Sequence, residues 1–253
     1  MSGIPRSYRA ILSSDWNECL APCGPFDFIF FTHPHLREGL TAIFRQYTSN
    51  AIRLGEAVRR MREMLPGPIG PDEMDGYLDA SFATYPDLAA WIEWCLSHDI
   101  LFMINTTGMV GYFQRIFAKG LLPRIPALSA HPMIRYEPLP SDPAHVFELL
   151  EIQDKPKNTE AAIRSFGLKA PKIIVMGDSG GDGPHFEWGA KAGALLIGSM
   201  VKPSLQKFCE GKGIPIHVAF GRAEPEDTPA ADRRTPGCTL MELAPILEEW
   251  LSH

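Results

Sequence analysis

KIIVMGDSGGDGPHFEWGAKAGALLIG, residues 172–198, is the stretch from which the fold can be predicted. Its apolar, β-branched run at 173–176 is typical of a buried parallel strand, and the glycines that follow allow a sharp turn. Residues 190–194 are small and predict a helix, and the apolar run 195–198 predicts the next strand. A strand, a helix and a second strand in this order indicate a parallel α/β sheet.

Two acidic residues, Asp178 and Asp182, follow the first of these strands. In open α/β sheets, ligands bind outside the carboxyl ends of the strands. Two carboxylates at such a place predict a bound divalent cation. An acidic turn that holds no metal explains the local pattern equally well.

The composition excludes several classes of function. With 253 residues, 45% of them hydrophobic and 21% charged, the chain is long enough for one large domain or for one domain with an insertion. Its net charge of −6 argues against a nucleic-acid partner. No apolar run reaches the length of a membrane span, and the N-terminus lacks the apolar segment of a signal peptide. We therefore expect a cytoplasmic protein that has no membrane partner.

The cysteines point to the same compartment. Their number is odd and their positions are mostly scattered, which predicts reduced thiols and neither a disulfide framework nor a zinc site. The five are Cys19, Cys23, Cys95, Cys209 and Cys238.

Asp15 is a further acidic residue at the predicted end of a strand. Residues 8–14 predict that strand, and Trp16, Asn17 and Glu18 come directly after Asp15. Taken alone, an aspartate at such a position is more typical of a turn or a helix cap than of a nucleophile.

Polar residues also follow a third predicted strand and precede a helix further along. The apolar run 100–104 ends in Asn105, Thr106, Thr107 and Gly108. Lys155 lies just before a predicted helix that ends at about residue 166, a position where a lysine suits an anion. Taken alone, Lys155 is better explained as an exposed loop lysine.

A block of helices interrupts the alternation of strands and helices. Apolar residues recur at steps of three and four between residues 36 and 84, which predicts amphipathic helices. We predict an all-helical cap domain at 32–85, inserted into a Rossmann-like α/β core formed by 1–31 and 86–253. The aromatic run 26–31 is interpreted as plain core in preference to the alternative of a flap strand or a hinge.

The remaining segments carry weaker patterns. Between residues 121 and 154, prolines interrupt every pattern except a short predicted strand near 133–136. A helix near 204–209 and a strand at 214–220 follow, and then a polar, proline-rich loop at 221–237. Thr239 and Glu242 form a capping box that begins a final amphipathic helix.

The polar residues at strand ends occur in a recognisable order. Asp15, Thr106, Lys155 and the GDSGGD segment with its two aspartates resemble, in the same order, the four motifs of the haloacid dehalogenase (HAD) superfamily of hydrolases. The helical block between the first and second motifs is similar to the cap of the phosphoserine-phosphatase-like branch. The resemblance implies an α/β core with a helical cap.

The resemblance also implies a Mg²⁺ site and a nucleophile. Asp15 would attack the phosphorus of a small phosphorylated substrate and form an aspartyl-phosphate. Asp15, the backbone carbonyl of Asn17, and Asp178 would bind Mg²⁺, which would offset the repulsion between two anions.

The other implied roles concern the phosphoryl group. Thr106 would donate a hydrogen bond to a phosphoryl oxygen, and Lys155 would neutralise developing charge. Asp182 would position Lys155 or a metal-bound water. Two assignments stay open: Thr107 is an alternative to Thr106, and Lys157 is an alternative to Lys155.

Asn17 departs from the pattern of the phosphatases. Those enzymes carry a second aspartate two residues after the nucleophile, where it protonates the leaving group and later activates water. An amide cannot exchange a proton in this way, and such acid–base help is typically worth about 10²–10⁴ in rate. Acid catalysis would then require Glu18 or a cap residue as a substitute. The alternatives are a phosphatase that is slow or acts on esters with good leaving groups, a hydrolase of carbon–halogen or carbon–phosphorus bonds, and a catalytically silent metal-binding protein. The slow Mg²⁺-dependent phosphatase is the favoured hypothesis.

Overall fold

The computed structural model describes residues 7–48, 51–221 and 239–253. Its central element is a sheet of seven parallel strands in the order β4-β3-β2-β1-β5-β6-β7. The strands are β1 (Ala10–Ser14), β2 (Ile100–Met109), β3 (Ala127–His131), β4 (His145–Glu148), β5 (Lys172–Gly177), β6 (Leu195–Ser199) and β7 (Val218–Phe220). The predicted Rossmann-like parallel sheet is therefore confirmed.

Helices connect the strands, and several of them lie between β1 and β2. The α-helices of the described residues are α1 (Asp27–Thr32), α2 (Arg37–Thr48), α3 (Leu54–Met64), α4 (Pro71–Ser81), α5 (Leu88–Ser97), α6 (Val110–Ala118), α7 (Asp154–Ser165), α8 (Gly183–Lys191), α9 (Pro203–Lys212) and α10 (Ala244–Ser252). Helices α1 to α4 fill the chain segment for which the sequence predicts a helical block. Its boundaries at 32 and 85, and its role as a separate cap, stay predictions.

The sheet is buried on both faces, as the connections between parallel strands require. All five residues of β1 are buried. Ala10 and Leu12 belong to one apolar cluster, and Ile11 between them belongs to another on the opposite face. This alternation follows from the two-residue period of a strand.

The strand order reverses at β1, which lies between β2 and β5. Ser14 is in register with Met176 on one side and with Ile104 on the other. The backbone N–H of Asp15 donates to the carbonyl of Met176 at 2.9 Å. The residues that follow β1, β2 and β5 therefore meet at one edge of the sheet, at the kind of switch point where α/β proteins bind ligands.

Polar contacts join the helices between β1 and β2 to the rest of the chain. The carboxylate of Glu151 accepts hydrogen bonds from the first two N–H groups of α3, those of Leu54 and Gly55, both at 3.2 Å. Arg115 on α6 forms a bidentate ion pair with Asp75 on α4, at 2.8 and 2.7 Å. These contacts join α3 to the segment that precedes α7, and α4 to α6.

Three predicted elements near the site differ from the structure. Residues 27–32 form helix α1 and no flap strand, and Phe28 and Ile29 are buried, as the core interpretation expects. The helix predicted at 190–194 is α8, which begins earlier and ends at Lys191, because Gly193 takes a left-handed backbone conformation with φ +69°. Lys155 lies in the first turn of α7 rather than before the helix.

The strand predicted at 133–136 is wrong, and two real strands nearby are missing from the prediction. The backbone carbonyl of Ile134 accepts from Gly111 N, and the N–H of Tyr136 donates to Gln114, so this segment pairs with α6 and not with the sheet. Strands β3 and β4 have weak patterns, because β3 carries polar residues between prolines and β4 is a half-buried edge strand.

The remaining predictions concern the C-terminal part of the sheet, the proline-rich loop and the cysteines. The strand predicted at 214–220 is shorter and is confined to β7. The loop predicted at 221–237 and Cys238 lie almost wholly outside the described residues. The described cysteines are buried and form no disulfide: Cys19, Cys23, Cys95 and Cys209. In this part of the chain, no helix is both long and apolar enough to cross a membrane.

Candidate active site

Three buried carboxylates lie together at the carboxyl edge of the sheet. Asp15 follows β1, and Asp178 and Asp182 follow β5. One carboxylate oxygen from each of them lies within 4.8 Å of the other two. The residues are at most 7% exposed, so their charges require nearby partners.

Lys155 is the nearest cation. Its Nζ lies 3.1 Å from Asp15 Oδ1 and 2.5 Å from Asp182 Oδ1. Burial alone would lower the pKa of Lys155, but the carboxylates of Asp15 and Asp182 outweigh burial and raise the pKa. The side chain is therefore a buried, permanently charged ammonium that bridges two acids.

Asp182 is held rigidly by the turn that follows β5. Its Oδ2 accepts hydrogen bonds from the backbone N–H groups of Asp178 at 2.9 Å and Ser179 at 3.3 Å. Burial opposes ionisation, but Lys155 and these donors lower the pKa of Asp182 below its usual value. Gly177 is required beneath it, because a Cβ there would lie 2.5 Å from Asp182 Cγ.

Asp178 and Asp15 differ from Asp182 in their electrostatics. Burial raises the pKa of Asp178 well above its usual value, against the opposing charge of Lys202. Burial likewise raises the pKa of Asp15, against Lys155. Oδ1 of Asp178 is buried and has no hydrogen-bond partner among the described residues. A hard divalent cation with oxygen ligands would fit this set of carboxylates and would favour their ionised forms.

Asn17 and Thr106 contact each other beside the acidic cluster. Thr106 donates from Oγ1 to Asn17 Oδ1 at 3.1 Å, and it accepts from the N–H of Gly108 at 3.1 Å. The Asn17 amide donates to the carbonyl of Cys23 at 3.2 Å. Both ends of the Asn17 side chain are thus engaged, in an orientation set by Thr106 and the loop after β1.

The structure distinguishes the open alternatives by position. The hydroxyl that reaches Asn17 belongs to Thr106 and not to Thr107. The side chain of Lys157 is 73% exposed and pairs with Asp154 at 3.0 Å, whereas Lys155 reaches Asp15. The roles of these residues remain proposals.

Lys202 is a charged residue at this site that sequence reasoning missed. Its Nζ lies 3.0 Å from Asp178 Oδ2 and also forms an ion pair with Glu18. One signal points to it, since Lys202 follows the predicted strand 195–198 and so lies at the same edge of the sheet. Glu18, which the sequence suggests as a substitute acid, is thereby directed to Lys202.

A polar network of buried side chains binds the backbone carbonyl of Lys155. The amide of Asn105 donates to the backbone carbonyl of Lys155 at 2.8 Å and to Ser13 Oγ at 3.2 Å. Thr159 lies within hydrogen-bond distance of Asn105 and, at 3.0 Å, of His185 Nε2. This network fixes the first turn of α7 against β1 and β2.

A large cavity lies next to the first turn of α7, and a much smaller one lies against Asn17. One of about 530 Å³ lies between the α2–α3 connection and the start of α7, and Tyr47, Arg53, Glu151 and Lys157 are among its lining residues. The other, about 10 Å³, lies against Asn17 and is lined mostly by apolar and aromatic side chains. The second is too small for a substrate, so binding on the Asn17 side requires the surrounding side chains or helices to move.

His185 predicts how stability depends on pH. Burial lowers its pKa to about 3, whereas the unfolded chain has the usual value near 6.5. Between these values only the unfolded state binds the proton, so stability is present above pH 6.5 and is lost as pH falls. We expect His185 to reduce the free energy of unfolding by roughly 2 kcal/mol between pH 7 and pH 5.

Urea unfolding at several pH values would measure this effect. His185→Gln should show a shallower loss of stability between pH 7 and pH 5 than the unchanged protein. His35→Gln serves as the control, because His35 is exposed. Equal slopes for His185→Gln and the unchanged protein would contradict the assignment.

Comparison with known proteins identifies the fold. No protein-family model matches the sequence, and no curated protein matches it. Among solved structures, a HAD family hydrolase from Salmonella enterica serovar Typhi matches with a TM-score of 0.63 and 17% identity, over 85% of this chain and 68% of that one. A phosphoserine phosphatase, solved as a phospho-aspartyl intermediate analogue, matches with a TM-score of 0.64 and 14% identity, over 95% and 99% of the two chains. The likeness to HAD hydrolases and phosphoserine phosphatases is thus confirmed at the level of the fold.

Proposed function

We propose that this protein is a Mg²⁺-dependent hydrolase that cleaves a small phosphate monoester through an aspartyl-phosphate on Asp15. The observation that carries the proposal is the bridge made by Lys155 between Asp15 and Asp182, with Asp178 beside it at the carboxyl edge of the sheet. The ammonium group of a buried lysine next to a carboxylate nucleophile can stabilise the negative charge of a transferring phosphoryl group.

The reaction would proceed in two steps. A carboxylate oxygen of Asp15 attacks the phosphorus, and the bond from phosphorus to the leaving oxygen breaks. Water then hydrolyses the aspartyl-phosphate and restores the carboxylate. Lys155 stays charged throughout and offsets the negative charge on Asp15 and on the transferring phosphoryl group.

Thr106 would orient the phosphoryl group. Thr106 lies in the second half of β2, and its hydroxyl donates to Asn17 Oδ1. A hydroxyl rotates readily, so the same proton is available to a phosphoryl oxygen bound between Thr106 and Asp15. Asp182, fixed by two backbone donors, would hold Lys155 in the orientation that the reaction needs.

The acidic cluster would hold Mg²⁺. Asp15, the backbone carbonyl of Asn17, and Asp178 are the proposed ligands, and the unpartnered Oδ1 of Asp178 supports this choice. When bound, the ion would supply positive charge that offsets the repulsion between the nucleophile and the phosphate.

Asn17 would limit the rate. Its amide donates to Cys23 and accepts from Thr106, and it has no proton to give to a leaving alkoxide. The enzyme would therefore favour esters whose leaving groups need no protonation. Helices within residues 32–85 would act as a cap, since Tyr77 lines the cavity beside Asn17 and Tyr47, Arg53 and Leu54 line the larger cavity. We place the protein in the cytoplasm, in keeping with the free thiols of its described cysteines.

A substrate panel tests this function. Purified protein would be incubated with phosphate monoesters that differ in leaving group, with Mg²⁺ and with a chelator. Phosphate release that requires Mg²⁺ and is fastest with good leaving groups would support the proposal. Release of halide from a haloacid, or cleavage of a phosphonate without activity on any ester, would instead favour the alternatives that Asn17 leaves open.

A further inference from the structure

Lys202 is held at the site by its own backbone. Its N–H donates to the carbonyl of Asp178 at 2.8 Å. Two residues earlier, Met200 has a left-handed backbone with φ +48°, and its N–H donates to Phe220 at 2.7 Å. A left-handed conformation is unfavourable for a residue with a side chain, so the turn that directs Lys202 towards Asp178 is strained.

Glu18 reaches Lys202 from the opposite side, and its backbone is strained in the same way. Its φ is +57°, and its N–H donates to Ala21 at 2.7 Å. Among the described residues, four that are not glycine have a positive φ, and Glu18 and Met200 are two of them. Two of the four strained positions thus flank one ion pair, which indicates that the pair is held in place by the fold.

We propose that Lys202 is a built-in cation that competes with Mg²⁺ for Asp178, and that Glu18 balances it. This inference rests on the proposed function, since it concerns the same metal site. The ammonium lies 3.0 Å from one oxygen of Asp178, while the other oxygen has no partner. Any cation bound to Asp178 would therefore lie close to a second positive charge.

The arrangement of charges sets the direction of the effect. With all acids ionised, the four carboxylates and the two ammonium groups that these ion pairs join have a net charge of −2. Removing Lys202 makes the site more negative and frees Asp178. Removing Glu18 makes it less negative and leaves Lys202 with Asp178 alone. Charges a few ångströms apart in a buried site interact strongly. Removal of the Lys202 charge and removal of the Glu18 charge should therefore change Mg²⁺ affinity in opposite directions.

Metal binding to the protein without substrate provides the test. The dissociation constant for Mg²⁺ would be measured by calorimetry, and that for Mn²⁺ by electron paramagnetic resonance. Lys202→Met should bind both ions about tenfold tighter or more, and Glu18→Gln should bind them at least about tenfold weaker. Lys207→Met, an exposed lysine on α9, controls for general charge and should leave the affinity unchanged within about twofold.

The signs of the changes separate competition from mere structural support. If Lys202 only stabilised the fold, both variants would bind metal more weakly, and this result would overturn the inference while leaving the proposed function in place. Should Lys202→Met fail to fold, Lys202→Gln, which keeps a polar side chain without the charge, should still bind Mg²⁺ about tenfold tighter, and unchanged or weaker binding would overturn the inference. Failure of the unchanged protein and of both variants to bind Mg²⁺ would overturn the metal site of the proposed function as well.

Discussion

Asp15→Asn should reduce phosphate release by about 10³-fold or more, because loss of a nucleophile removes the covalent pathway altogether. The amide cannot attack phosphorus, and it also removes a carboxylate that pairs with Lys155 at 3.1 Å. The measurement is phosphate release from the best ester of the panel at saturating Mg²⁺.

A matched control is needed, because a buried charge is being removed. Asp72→Asn, at an exposed position on α4, should keep the activity of the unchanged protein. Circular dichroism and thermal unfolding would show whether Asp15→Asn stays folded. A folded Asp15→Asn protein with undiminished turnover would rule out Asp15 as the nucleophile.

Asn17→Asp should increase the rate by about 10²–10⁴ on esters with poor leaving groups, because it restores a group that can donate and accept a proton. The contacts of Asn17 make the substitution favourable for an acid. A protonated aspartate has the shape of asparagine, so it can donate to the Cys23 carbonyl, 3.2 Å from the present amide nitrogen, and accept from Thr106. The site would thus stabilise the protonated form that the first step requires.

The dependence on leaving group distinguishes acid catalysis from other causes. The gain in kcat should be large for an alkyl phosphate and small for an aryl phosphate such as p-nitrophenyl phosphate. Asn17→Ala, which removes the amide without adding an acid, is the control and should show no gain. An equal change for both esters, or no gain for either, would contradict the role assigned to position 17.

The positions of the main site residues could be predicted because they depend on local patterns. Asp15 directly follows β1 and Asp178 directly follows β5, and parallel strands have their carboxyl ends at one edge. Asp15 and Asp178 are neighbours for this reason alone, since β1 pairs with β5. Lys155 could be predicted only from the family resemblance, because nothing in its local sequence distinguishes it from the exposed Lys157.

The parts that could not be predicted depend on tertiary contacts. Lys202 reaches Asp178 because of the strained turn at Met200 and the ion pair with Glu18, neither of which has a sequence pattern. Strand β3 is short and lies between prolines, so only its pairing with β2 and β4 makes it a strand. Most of the aromatic run at 26–31 lies in helix α1, and its phenylalanines pack against other helices, as Phe28 does against Tyr77 of α4.

The most direct test is a search for the phosphorylated protein. Water attack on the aspartyl-phosphate would also lack a general base at Asn17, so the intermediate should accumulate. The protein would be mixed with Mg²⁺ and acetyl phosphate, quenched in acid and analysed by intact mass and peptide mapping. We expect a mass gain of one phosphoryl group, located on Asp15, that is absent in Asp15→Asn and smaller in Asn17→Asp. Two results would contradict the mechanism. One is phosphate release from an ester by the unchanged protein and by Asn17→Asp while neither protein carries a phosphoryl group on Asp15. The other is the same adduct in Asp15→Asn.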